Sequence, residues 1–196
     1  MSDKFNKVFS VSVEPDEFLL LNETGFEQTI QLKEGQLLLF DGSSIRDNWR
    51  ILGVDWLIEP RVAHQNLAKP DVAGLGASTF VVSPKFSHLF LSGFGKNIEL
   101  LKCNLNDEQW FAFNVVGFDK ALNEDHTIRN IRNGKPSRVR KFKKMVLTKN
   151  AIDNPELFRI REVGLQYFTT DAKNSLYTLV KENNIKGLYF NEVEIV

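Results

Sequence analysis

The chain has 196 residues, sixteen of them phenylalanine, and its acidic and basic side chains balance to zero net charge. That length supports one sizeable core, with about 70% of the unfolded surface buried, and the apolar share excludes disorder. One cysteine, Cys103, excludes an intramolecular disulfide and a thiolate metal cluster, and no apolar stretch approaches the ~20 residues of a membrane-spanning helix, so a reducing, cytoplasmic setting is expected.

Residues 8–13 alternate Val8, Ser10 and Ser12 against Phe9, Val11 and Val13, the period of a half-buried strand, until Pro15 and Asp16 interrupt it. Phe18 to Leu21 is a compact apolar run ahead of the turn-like Asn22 to Gly25, and Gln36 to Phe40 is another, closed by Asp41, Gly42 and two serines. Ile51, Val54, Trp56 and Ile58 mark the next extended segment, whose tryptophans fill core or line an edge. Gly74 and Gly76 loosen the chain before Thr79.

From Phe80 to Leu105 the chain is matched by its own C-terminal stretch. A constant shift of 87 positions lays Phe80 on Tyr167, Ser83 on Thr170, Leu89 on Leu176, Ile98 on Ile185 and Leu101 on Leu188. Both copies predict strand, hydroxyl cap, helix, turn and strand, either as a coincidence of two amphipathic units or as one packing unit used twice. In the first, Pro84 stands just inside the cap, where its missing N–H costs nothing. In the second, Thr169, Thr170 and Asp171 supply capping oxygens, and Leu176, Leu179 and Val180 form the buried face of a helix ending near Glu182. Asn183 and Asn184 stop that helix, and Ile185 to Val196 reads as an alternating strand.

Between the copies, Gln109 to Phe118 predicts a central strand. The chain is then basic and polar from Thr127 to Lys144, strand-like at Met145 to Leu147, and turn-like from Lys149 to Glu156 before Leu157 to Ile160. The expected fold is α+β: a single domain, its mixed or mainly antiparallel sheet flanked by two short capped helices, with residues 1–70 forming a β-rich N-terminal part.

Taken in order, Val82-Ser83, the aromatic strand Trp110 to Phe118 with Asp119 and Leu122, Leu157-Phe158-Arg159-Ile160, Thr169-Thr170 and Gly187-Leu188-Tyr189-Phe190 resemble one family of bacterial immunity proteins. These accompany polymorphic toxins delivered by contact or by type VI secretion. The resemblance covers residues 71–196, and the second helix start, Thr169-Thr170-Asp171, departs from the Val-Ser of the first. It implies a non-enzymatic inhibitor that binds a cognate toxin made by the same cell. It carries over no toxin-contacting residues.

The strongest charge feature is Thr127 to Lys144, with Arg129, Arg132, Lys135, Arg138, Arg140, Lys141, Lys143 and Lys144 and no acid. The rest of the chain is correspondingly acidic. Such a segment reads as a solvated loop, as a dock for an acidic partner, or as a nucleic-acid contact. Asn133-Gly134 and Pro136, with Phe142 the lone aromatic, argue against the last. His64, His88 and His126 show no metal-ligand spacing, and Asp125 beside His126 is the minimum for acid–base chemistry at what reads as an exposed strand exit. Gly74-Leu75-Gly76 and Gly93-Phe94-Gly95 lack phosphate-loop geometry. Trp49 and Trp56 with Asp55 and Glu59 form either a buried tryptophan pair or an acidic, aromatic anchor for a partner.

The candidate partner-binding residues are therefore Trp49, Asp55, Trp56, Glu59, Arg138, Arg140 and Lys141. No catalytic residue, cofactor or metal ligand is expected. The alternatives are a nucleic-acid-associated protein using residues 127–144 and a small enzyme around Asp125 and His126.

Overall fold

The computed structural model describes residues 5–14, 16–25, 27, 40–58, 67–76, 79–92, 94–137 and 141–196. Its strands are β1 (Val8–Val13), β2 (Leu21–Glu23), β3 (Leu52–Trp56), β4 (Val72–Leu75), β5 (Thr79–Val82), β6 (Ile98–Leu105), β7 (Glu108–Val115), β8 (Ile128–Arg129), β9 (Ile131–Arg132), β10 (Lys135–Pro136), β11 (Phe142–Lys144), β12 (Val146–Leu147), β13 (Phe158–Arg159), β14 (Tyr167–Thr170) and β15 (Leu188–Ile195). The helices are α1 (Pro84–Leu91) and α2 (Leu176–Glu182). The fold is α+β, as expected. Where the sequence suggests one sheet, eleven of these strands divide between two assemblies, a closed barrel in the order β2-β3-β6-β7-β5-β4 and a five-stranded sheet in the order β12-β15-β1-β14-β13, and the other four form the two-stranded ladders β9–β10 and β8–β11.

Alternation along β7 explains how one strand serves two cores. Trp110 and Ala112 join Val81, Leu101, Cys103 and Val54 in the apolar cluster of the barrel strands. Phe111, Phe113 and Val115 face the other way, meeting Phe90 of α1, Leu176 and Val180 of α2, and Val11 and Tyr167 of the sheet. A third cluster, with Val8, Phe158, Phe168, Leu147 and Val193, lies on the sheet's opposite face. The residues before Asp71 enter both assemblies, β1 at the middle of the sheet and β2 with β3 in the barrel. Asn22 and Glu23, turn-like in sequence, are strand, and Gly74 is buried inside β4, where Val13 fills the space a side chain would need.

The two strand–helix–strand units are present in the expected order. In the first, β5 and β6 flank β7, each antiparallel to it. In the second, β14 and β15 flank β1 in the same way. Both are therefore split units, with parallel outer strands and a third strand between them. The spacing is not rigid, because α2 starts at Leu176 where an 87-residue shift puts it at Asp171. Ser83 is the N-cap of α1 with Pro84 behind it, but Ser175, five and six residues past the predicted threonines, is the N-cap of α2 and accepts the Thr178 N–H at 3.2 Å. Thr169 still contributes, its hydroxyl accepting the Tyr177 N–H at 3.3 Å.

Two junctions hold the assemblies in register. The Lys186 carbonyl accepts the N–H groups of Asp71 and Val72 at 3.0 and 2.9 Å, and the Lys186 N–H donates to Asp71 Oδ2 at 2.9 Å. The next residue, Gly187, has φ +114°, and a Cβ there would lie 2.0 Å from the Val72 carbonyl oxygen, so only glycine fits. The second junction is the segment from Phe40 to Trp49, whose Phe40 carbonyl accepts Arg159 of β13 and which is held to the barrel through buried Glu99. That carboxylate accepts Ser44 Oγ at 2.5 Å, the Ile45 N–H at 3.1 Å and Asn114 Nδ2 at 2.8 Å. Burial pushes the Glu99 pKa up, but these three bonds and nearby Arg46 outweigh it and hold the carboxyl below its ordinary range.

Candidate functional site

The basic segment read as a loop is a β-hairpin arm. β8 pairs with β11 and β9 with β10, both antiparallel, and between them the Asn130 N–H donates to the Lys141 carbonyl at 2.9 Å. Asn133 and Gly134 have φ of 51° and 74°, the positive values that a two-residue turn of the type I′ class requires at both central positions. The signal was present in the sequence as Asn-Gly shortly after Ile128 and Ile131. It was hidden by the density of charge around it.

Three ties root the arm. Arg129 donates to Glu124 Oε1 at 2.5 Å and lies 5.4 Å from the Phe142 ring centre. Lys144 pairs with Glu194 at 2.8 Å, and Lys141 donates to the carbonyls of Glu162 and Val163 at 3.1 and 3.3 Å. Lys141 is thus a clamp on the β13–β14 connection instead of a free docking cation. Toward the tip, Arg132 and Lys135 stand directly opposite one another across the ladder. Both are exposed, as is Lys143, and none of the three makes an ion pair among the described residues. Ile131 and Ile128 remain 63% and 50% exposed.

At the root lies an open cleft of about 430 Å³ lined by Phe118, Asp119, Lys120, Glu124, Arg161 and Glu162. The Phe118 ring is flanked by two guanidinium groups, Arg159 at 5.2 Å and Arg161 at 5.0 Å. Arg159 is buried, and it donates to the carbonyls of Phe40 and Gly164 with the Tyr167 ring 5.5 Å away. Burial lowers its pKa, against the influence of Tyr167 and Asp41. Asp119 accepts the N–H groups of Asp153 and Asn154 at 3.0 and 3.1 Å and the Asn154 amide at 2.7 Å. Burial nonetheless raises its pKa. Both residues are committed to holding loops together. Sequence reasoning missed this group; the signal was a cation inside the apolar run Leu157 to Ile160.

Trp49 and Trp56 do not pair with each other. Trp49 packs on Phe40, ring centres 6.2 Å apart, and donates Nε1–H to the Lys102 carbonyl at 2.8 Å. Trp56 meets Trp110 edge-on at 5.8 Å, with Lys69 Nζ 5.6 Å from its ring centre. Both are half-buried against the barrel core, while Asp55 is exposed and Ile51 and Ile58 beside them are 62% and 67% exposed. Glu59, Arg138, Arg140 and His64 lie outside the described residues, as do Gln36 to Leu39 and Gly93.

His126 and Asp125 do not form the minimal pair. The His126 ring Nδ1 lies 2.9 Å from Asn123 Oδ1, which also accepts the His126 N–H, and Glu124 is engaged by Arg129. His88 is exposed on α1. Cys103 is fully buried and its thiol pKa is pushed up to about 12 by burial, beyond reach of nucleophilic use near neutrality. Among the described residues no helix is long and apolar enough to cross a membrane. No protein-family model and no curated protein sequence matches this chain.

Proposed function

We propose that the chain is an immunity protein, which binds a cognate toxin in the cytoplasm and neutralises it by covering the active site or substrate groove, without catalysis of its own. The observation that supports this reading is the tip of the arm. Like charges directly opposite on paired strands destabilise a ribbon, yet Arg132 faces Lys135 with no acid anywhere between Thr127 and Lys144. Exposed Ile131 adds an apolar surface beside them. An acidic groove with an apolar floor, on a protein partner, relieves both costs at once, and the arm's field speeds the encounter. The cleft at the root widens the contact toward the roughly 800 Å² per partner typical of stable complexes.

The second reading, nucleic-acid binding, is favoured by one observation: a two-stranded basic ribbon has the dimensions of the DNA major groove. Exposed isoleucines at the tip and root fit it less well. The deciding experiment expresses the product of the adjacent gene with and without this chain. Killing that wild-type chain prevents, and that the Lys135→Glu, Ile131→Asp double variant does not, supports the proposal; a harmless neighbour, together with salt-sensitive binding of duplex DNA by the arm, replaces it with the second reading. Lys135→Glu also turns the repulsive pair at the tip into an attractive one. It should raise stability by about 0.5 kcal/mol while weakening partner binding, a split that a solvated surface position does not produce.

A further inference from the structure

The strand borders of this fold are mostly occupied. The border of β6 near Ile98 and Lys102 is capped by side chains, Arg46 Nη2 donating to the Ile98 carbonyl at 3.3 Å and Trp49 Nε1 to that of Lys102 at 2.8 Å. The outer border of β15 is walled at both ends and open between them. At its start the Lys186 carbonyl holds the N–H groups of Asp71 and Val72. At its end β12 pairs with Glu194 and Ile195, and the Val196 N–H donates to the Leu147 carbonyl at 2.9 Å. Strand alternation turns the even-numbered residues between these walls to the same side, while the odd-numbered ones bond toward β1. Leu188, Phe190 and Glu192 therefore aim N–H and C=O into the gap, and among the described residues nothing hydrogen-bonds them. An open edge of this kind is a template for another strand.

The walls fix the size of what fits. From Lys186 to Glu194 the strand rises about 26 Å, and the walls use both ends of that length. One extended segment of about five residues fills the rest, with its flanking chain leaving the sheet plane. The long edge of another sheet strikes the walls first, whereas a chain end or a projecting loop does not. Charge narrows the choice further. The acids along this border are already matched, Asp71 by Lys85 at 3.7 Å, Glu192 by Lys7 at 2.8 Å and Glu194 by Lys144 at 2.8 Å. The cations are not: among the described residues Lys186 at the first wall and Lys181, 6.0 Å from the Phe190 ring centre, make no ion pair, nor does Lys143 of β11 near the second. The middle of the gap is apolar, with Phe190 half-buried edge-on to Tyr177 at 5.2 Å and Tyr189 51% exposed on the opposite face.

We propose that the gap receives a short extended segment of another protein, apolar at its centre and acidic at its ends, which pairs with β15 as an added strand. The arm leaves the fold at the second wall, β11 running through Met145 into β12, so a protein that holds the arm has its surface beside the gap. Assigning the segment to that protein rests on the immunity reading; the pairing itself does not.

Two capped peptides test the pairing, Glu-Val-Ile-Val-Glu and Lys-Val-Ile-Val-Lys, each titrated to millimolar concentration while amide hydrogen exchange is followed. The acidic peptide should slow exchange at Leu188, Phe190 and Glu192 and leave Tyr189 and Asn191 unchanged. The basic one should bind roughly tenfold more weakly or worse, by a margin that shrinks as salt rises. Glu192→Pro deletes an N–H that faces the gap and leaves the β1 ladder intact, so it should weaken the acidic peptide roughly tenfold. Glu192→Gln, which keeps the N–H, should bind it nearly as the wild type does. Exchange at Phe190 and Glu192 that ignores millimolar acidic peptide, equal binding of the two peptides, or equal binding by the Pro and Gln variants with native circular dichroism each overturns the proposal. Protection against the adjacent gene's product separates the two readings. If it is lost in the Lys135→Glu, Ile131→Asp variant and fully kept in Glu192→Pro, the partner's strand is not in the gap and the immunity reading stands. Selective binding of the acidic peptide beside a harmless neighbour keeps the added strand and removes the immunity reading.

Discussion

Replacing Gly187 with alanine separates two costs that glycine avoids, conformation and space. An L-residue in the left-handed region costs about 1–2 kcal/mol. The added methyl would also lie 2.0 Å from the Val72 oxygen and 2.6 Å from Pro70 Cβ, so the backbone of β4 must move. That movement stretches the three hydrogen bonds between Lys186 and Asp71 or Val72, each worth about 1 kcal/mol net. The expected loss is about 4 kcal/mol, a large share of the ~5–15 kcal/mol that stabilises a domain. Gly117→Ala is the control, since its φ is +80° and nothing lies within 4 Å of the new methyl; it carries the conformational cost alone. Urea titrations of both variants, read as midpoint shifts at constant slope, give the difference directly. If Gly187→Ala falls within about 1 kcal/mol of Gly117→Ala, the two assemblies are not welded at Lys186 and the reasoning fails.

Three other outcomes follow from buried groups. Glu99 has a depressed folded pKa, so its stabilisation is complete above the ordinary carboxylate range and is lost as pH falls through the folded value. Asp119 has a raised one, so its contribution has the opposite sign, present at low pH and lost as pH rises through the folded value. Urea midpoints measured down through the carboxylate range should therefore fall less steeply in Glu99→Gln and more steeply in Asp119→Asn than in the wild type; parallel curves would contradict both assignments. Arg159→Ala strands the buried Phe40 carbonyl and the partly buried Gly164 carbonyl and opens a void between Phe118 and Tyr167, a loss of about 4 kcal/mol in chemical denaturation, of which Arg159→Lys should recover part by reaching one carbonyl. Cys103 should stay unlabelled by a thiol reagent in the native state and react within the dead time once the chain is unfolded.

How much of this was legible depended on whether a signal was local. The alternation of Val8 to Val13, the aromatic run at Gln109 to Phe118 and the Ser83-Pro84 helix start each carry their meaning within a few residues, and each became the expected element. Barrel closure did not, because it rests on pairings such as Leu52 with Cys103 and Leu21 with Leu75 that no window of sequence contains. Thr169 and Thr170 show the ambiguity of β-branched hydroxyl residues, which cap helices and also fill strands; here packing against Val8 and Phe9 decided for strand. At the candidate site the charge of the arm was visible, but its shape, the exposure of its isoleucines and the diversion of Lys141 into a clamp depended on long-range contacts.

The position of β1 has a consequence for how the molecule assembles. It lies between β14 and β15 and bonds to both, so a ribosome must deliver more than a hundred and fifty further residues before Val8 to Val13 find either neighbour. The barrel, whose strands all lie between Leu21 and Val115, is complete long before that. Synthesis therefore holds a sticky apolar ribbon in waiting beside a finished lobe, and contacts this distant in sequence form slowly. A chain stalled before Leu188 would display that ribbon to chaperones and proteases, which makes the final strand the checkpoint for the whole protein.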